Sequence, residues 1–127
     1  MKMTKKLLFL DDIRYPIEAY YYTKQDIFLE KDWDIVRNYE QFINRIMEKG
    51  LPEMISFDHD LADIHYLEQN SLDFTEKAGY DCAKWLIEYC MDNGLDLPEF
   101  YSHSMNPVGK ENILNLLENF KKANKKS

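Results

Sequence analysis

Three short stretches gather the residues that could do chemistry: Asp11-Asp12 followed by Arg14, Asp58-His59-Asp60, and His103-Ser104-Met105-Asn106. Each follows an apolar run, Leu7-Leu8-Phe9-Leu10, Met54-Ile55-Ser56-Phe57 and Phe100-Tyr101-Ser102 in turn. Carboxylates that converge from adjacent strand ends repel one another in a partly desolvated cleft and raise one another's pKa. A hard divalent cation such as Mg²⁺ or Mn²⁺ among them relieves that repulsion. Asp11, Asp12 and Asp58 are therefore the expected metal ligands. Taken singly, Asp11 or Asp58 has an alternative as the cap of the next turn or helix. His59 and His103 suit general acid and base work near neutral pH, or ligation of a transition metal as neutral donors. Asp60 is placed to orient one of them. His65, inside a polar stretch, has no such neighbours.

Asn106-Pro107-Val108-Gly109-Lys110 has the composition of a helix start. Unpaired N–H groups and the positive end of the helix dipole can hold an anion there. Gly109 leaves room for close approach and Lys110 adds a charge. With Arg14, Ser104 and Asn106 they make a phosphate-sized site beside the carboxylates. Neither a P-loop nor a dinucleotide-binding glycine fingerprint is present in the sequence, so nucleotide chemistry of those kinds is not expected.

Four short apolar runs, the three above and Trp33-Asp34-Ile35-Val36, read as parallel strands, each central or near-central except the more polar second. Helical patterns separate or follow them. Asn38 caps a stripe of Phe42, Ile43, Ile46 and Met47 that Gly50 and Pro52 end. Gly79 to Asn93 carries Cys82, Ala83, Leu86, Ile87 and Cys90 on one side, with Gly94 as its stop. The last helix follows Asn106-Pro107 and repeats Ile113, Leu116, Leu117 and Phe120. Alternating strand and helix predicts an α/β fold, a three-layer parallel sheet in the order 2-1-3-4 with ligands bound outside the strands' carboxyl ends. Residues 15–31, with Tyr20-Tyr21-Tyr22, have poor spacing and suggest a helix only around Gln25–Leu29. Residues 62–78 read as a long polar loop, a candidate lid.

With 127 residues, 45% hydrophobic and 31% charged, the chain has the composition of a single folded domain, its core spanning about residues 5–120. Seven of the 16 basic residues lie at the two ends, including the lysine-rich tail Lys121–Lys126; residues 7–120 then hold 9 bases against 23 acids, a charge of −14. Such a surface repels a polyanion and argues against broad nucleic-acid binding, while a small anion can still bind locally. Cys82 and Cys90 stand about 12 Å apart along one helix, too far for a disulfide. With no membrane span or secretion signal in the sequence, reduced thiols point to a cytoplasmic protein.

The sequence resembles the cyclic-phosphate-processing receiver domain family, a divergent branch of the receiver fold. The likeness is carried by Leu10-Asp11-Asp12-Ile13-Arg14, Ser56-Phe57-Asp58-His59-Asp60-Leu61, Gly79-Tyr80-Asp81 with Trp85-Leu86, and His103-Ser104-Met105-Asn106-Pro107-Val108-Gly109-Lys110. It departs at Ala62 and Ala78, where relatives have Gly and Thr; compared with a phosphoacceptor receiver, it shows no fifth strand with its terminal Lys after His103 and Ser104. The resemblance implies a receiver- or flavodoxin-like sheet of four to five strands, a divalent metal in the acidic pocket, and activity on cyclic phosphates. It also implies a place near the site for Asp81, which otherwise reads as a helix cap. The resulting expectation is a metal-dependent phosphoesterase that opens a cyclic nucleotide or the 2′,3′-cyclic phosphate of an RNA end. The alternatives are a module that sequesters such a phosphate messenger, and a signalling receiver phosphorylated on Asp58. The sequence leaves the oligomeric state open.

Overall fold

In the computed structural model the described residues are 6–30, 32–58, 79–105 and 107–125, with side chains described as far as 123. His59, Asp60, Asn106 and the segment 62–78 lie outside them. Four strands, β1 (Leu7–Leu10), β2 (Trp33–Val36), β3 (Met54–Phe57) and β4 (Glu99–Ser102), form one parallel sheet in the order β2-β1-β3-β4. This is the receiver- or flavodoxin-like arrangement expected from the alternation of patterns. β1 is buried along its whole length because it has a strand on either side and helices above and below. β4 stands at an edge of the sheet, not near its centre as its apolar run suggests; Glu99 is exposed and Phe100 and Tyr101 are half-buried.

The helices are α1 (Pro16–Thr23), α2 (Tyr39–Lys49), α3 (Gly79–Asn93) and α4 (Pro107–Lys125), with a 3₁₀ turn at Asp26–Leu29. Side chains alternate across a strand, so each strand feeds both faces of the sheet. Leu8, Leu10, Ile55 and Phe57 pack with Phe42 and Ile46 of α2, Cys82 and Leu86 of α3, and Ile113 and Leu117 of α4. Leu7, Phe9 and Trp33 pack on the opposite face with Ala19 of α1 and Phe28 of the 3₁₀ turn. Three layers result, with α1 on one side and α2, α3 and α4 on the other.

Helix ends follow their capping residues. The Asn38 side chain accepts the N–H of Gln41 at 2.8 Å, and Gln41 accepts the N–H of Arg37 at 2.8 Å, which fixes the exit from β2. Gly50 and Gly94 end α2 and the α3 region at φ 85° and 64°, the left-handed backbone that glycine adopts without penalty. Three expectations about the helices need correction. α1 lies where no helix is read from spacing; with only Pro16 and Ala19 buried it has no apolar stripe, and Pro16 at its first position is its local signal. Met47 is 61% exposed because the apolar stripe of α2 is narrower than its sequence pattern. On α4, Ile113 and Leu117 are fully buried while Leu116 and Phe120 only flank the core. Both cysteines are free and buried, and burial pushes the Cys90 thiol up to about 11.

Candidate active site

The register of the sheet brings the chemistry together. Leu10 lies level with Val36 and with Phe57, and Phe57 with Ser102. The next residue of each strand, Arg37, Asp11, Asp58 and His103, therefore stands in one row at the carboxyl edge. Backbone bonds extend the ladder through that row: Asp11 N–H to Val36 at 3.1 Å, Asp58 N–H to Leu10 at 3.0 Å and His103 N–H to Phe57 at 3.1 Å. Alternation places Asp11, Asp58 and His103 on the α1 face. There Phe9 stacks on the imidazole with ring centroids 4.3 Å apart, and Phe28 meets it edge-on at 6.0 Å.

Donor atoms of Asp11, Asp58 and His103 all lie within 4.8 Å of one another, and all three residues are buried. Two carboxylates and an imidazole are a donor set that fits a divalent cation. Asp12, expected in the set, is not one of these clustered donors; it is half-buried beside Asp11. His103 takes its place because the in-register exit from β4 puts its ring over Phe9 and against Asp11.

Asp11 divides its two oxygens. Oδ1 accepts the N–H of Ile13 at 2.9 Å and of Arg14 at 2.8 Å, so the turn-capping alternative is realised. Oδ2 faces the cluster, 2.9 Å from His103 Nε2 and 3.6 Å from the Arg14 guanidinium. Burial alone would raise this carboxyl, but the hydrogen bonds from His103, Arg14 and Ile13 outweigh it and hold it at about 2. The expected mutual elevation of the acids is met at Asp12 instead, which burial and the charge of Asp11 push up to about 6. Burial pulls His103 below the usual imidazole range despite its bond to Asp11. The ring is accordingly neutral.

A neutral imidazole against an ionised carboxylate presents N–H there, which leaves Nδ1 as acceptor. Ser56 Oγ stands 2.7 Å from Nδ1, and its hydroxyl can donate to that lone pair. Spacing did not mark Ser56; the available signal is a lone polar residue inside an apolar central strand, which needs a buried partner.

Cations flank the row. Arg14 lies 5.6 Å from the centre of the Tyr22 ring and donates to Met105 Sδ at 3.3 Å, so it bridges the loops after β1 and β4. Lys110, in the first turns of α4, stands 5.3 Å over Tyr101, and its charge and that of Arg14 both act on His103. Gly109 and Ser104 are buried at the same end of the fold; the Ser104 N–H is 3.3 Å from Ser102 Oγ. Asp81 opens α3, where its charge acts on Tyr39 and Cys82, outside the donor cluster.

Two further residues hold the site without a motif to announce them. Tyr22 donates its hydroxyl to the backbone carbonyl of His103 at 2.6 Å, and burial pushes that phenol up to about 12. Arg37 donates to the carbonyls of Asp11 and Arg14 at 3.2 and 2.7 Å and lies 4.7 Å over Tyr15. Tyr22 thus ties α1 to the exit of β4, and Arg37 clamps the loop after β1.

Among the described residues no helix is long and apolar enough to cross a membrane. Comparison with curated proteins finds no match, nor does comparison with solved structures. Residues 6–119, nearly the whole fold including the row at the strand ends, match the sequence profile of the cyclic-phosphate processing receiver domain, and the chain belongs to that family.

Proposed function

We propose that the chain is a metal-dependent phosphoesterase that hydrolyses a cyclic phosphate, either a cyclic nucleotide or the 2′,3′-cyclic phosphate of an RNA end. The observation that carries this reading is the buried group of Asp11, Asp58 and His103 within 4.8 Å, under the charges of Arg14 and Lys110, in a member of a cyclic-phosphate processing family. Asp11 and Asp58 would hold the cation, with His103 as a nitrogen ligand and Asp12 at the rim. A bound Mg²⁺ or Mn²⁺ supplies Lewis acidity toward the phosphoryl oxygens and the attacking water. Hydrolysis forms a bond from water oxygen to phosphorus and breaks one ring P–O bond, and the departing alkoxide takes up a proton. His59 and His103 divide that proton traffic in the reading from sequence. With both ring nitrogens of His103 engaged, the proposal gives the larger share to His59, oriented by Asp60. Arg14 and Lys110 would offset the charge of the phosphate oxygens, and Ser104, Asn106 and the start of α4 at Gly109 would bind them.

Phosphorus NMR of cyclic mono- and oligonucleotides and of 2′,3′-cyclic RNA ends, with Mg²⁺ or Mn²⁺ and then with chelator, tests the reading. The expected result is conversion of one substrate class to a monoester or an opened diester, abolished by chelation. Tight binding with every ligand unchanged would replace it by the sequestering module. Labelling by a small phosphodonor that Asp58→Asn abolishes would replace it by a signalling receiver.

A further inference from the structure

Ser56 is fully buried in the middle of β3, yet its Oγ makes a side-chain bond of 2.7 Å to His103 Nδ1. With Asp11 on Nε2, the three residues form a Ser–His–Asp line. Ser56 has no exposed surface through which to attack a substrate, so the line does not make a nucleophile. Its sense runs outward, from Ser56 through the imidazole to the donor cluster.

We propose that Ser56 is a positioning residue that serves both proton arrangements of the His103 ring, and so lets the imidazole exchange Asp11 for a divalent cation at Nε2. The proposal rests on the metal reading above. Phe9, stacked at an interplanar angle of 13°, fixes the plane of the ring. Stacking is nearly indifferent to a half-turn within that plane, so hydrogen bonds must decide which nitrogen faces the cluster. A hydroxyl is donor and acceptor on one rotor. While Nε2–H points at Asp11, the Ser56 hydroxyl donates to the Nδ1 lone pair. A cation at Nε2 needs the lone pair there; the ring proton then sits on Nδ1, and the same oxygen accepts it. One proton leaves Nε2 and one arrives at Nδ1, so the imidazole stays neutral throughout. Without that oxygen, the metal-ready ring carries an unpaired N–H in a dry, aromatic-walled space.

The test uses the full chain, ¹⁵N-labelled at histidine, with Zn²⁺ as a diamagnetic probe. In wild type the His103 ring proton should sit on Nε2 without metal and on Nδ1 at saturation. Ser56→Ala should weaken Zn²⁺ binding by about 10–100-fold, the usual effect of losing a hydrogen-bond partner of a metal-ligating histidine. Ser56→Thr, which retains the hydroxyl, should restore the affinity. Ser56→Cys keeps the volume with only a weak hydrogen-bonding group, and gives the same comparison should the alanine variant fold poorly. If wild type binds Zn²⁺ and both Ser56→Ala and Ser56→Cys bind it equally well, or the proton stays on Nε2 at saturation, this proposal alone falls. If wild type binds no Zn²⁺, the metal reading falls with it.

Discussion

His103 and Asp11 are 92 residues apart in the chain and 2.9 Å apart in the fold, with neither side chain exposed. Their pairing joins the ends of β1 and β4, strands that do not touch each other in the sheet. It makes the site and the core one structure: the same imidazole that faces Asp58 is stacked on Phe9.

Replacing His103 by Phe keeps the stacking and removes both hydrogen bonds, which takes its side-chain partner from the buried Ser56 hydroxyl and leaves Asp11 Oδ2 with only the Arg14 guanidinium at 3.6 Å. Each buried group left unsatisfied costs about 1–3 kcal/mol. The urea midpoint of His103→Phe should fall clearly below that of wild type, and Ser56→Ala/His103→Phe should recover part of the difference.

Stability should depend on pH through Asp11 and Asp12 with opposite signs. Asp11, at about 2 in the fold against 3.8 for the free side chain, contributes stability that is complete above pH 3.8 and lost as pH falls toward 2. Asp12, at about 6 in the fold, binds its proton more tightly there than in the unfolded chain. Between pH 3.8 and 6 its contribution therefore falls as pH rises. In chelator, Asp12→Asn should be more stable than wild type at pH 7, and the advantage should vanish near pH 3; an equal difference at both pH values would show that Asp12 is not elevated.

The site was legible in part, and the pattern of successes has a physical cause. Asp11, Asp58 and His103 follow apolar strands whose ends are level, so reading strand ends was enough to bring them to one edge. Asp12 follows Asp11 and interacts with it, but it is not among the clustered donors, a difference that the paired spelling Asp-Asp conceals. Ser56 and Tyr22 escaped because their partners, the ring of His103 and its carbonyl, are defined only when β1, β3 and β4 are assembled. α1 escaped for a local reason: a helix of 8 residues burying two of them offers no periodicity.

α4 is anchored unequally. Leu117 is fully buried and Phe120 flanks the core. Leu117→Ala should cost about 2–5 kcal/mol, and Phe120→Ala less than the 3–5 kcal/mol typical of a buried Phe. Chemical denaturation of the two variants checks the order; a larger loss at Phe120 would mean that the far end of the helix, not its middle, holds it to the sheet.

Lys110 and His59 should separate binding from turnover. A phosphate contact made in both ground and transition state mainly sets affinity, so Lys110→Met should raise KM with kcat little changed. Loss of a general acid or base should lower kcat by roughly 10²–10⁴, the expected result for His59→Ala. Steady-state kinetics on the substrate identified by phosphorus NMR distinguishes the two, and an affinity effect alone in His59→Ala would remove it from the chemistry.

Calorimetric titration of Mn²⁺ into the wild-type chain and into Asp58→Asn is the most direct measurement of whether the buried trio is a metal centre. One binding event in wild type, lost in an Asp58→Asn variant whose circular dichroism is unchanged, is the expected result. Absence of binding to wild type, or equal binding to the variant, would contradict a cation held by Asp11, Asp58 and His103.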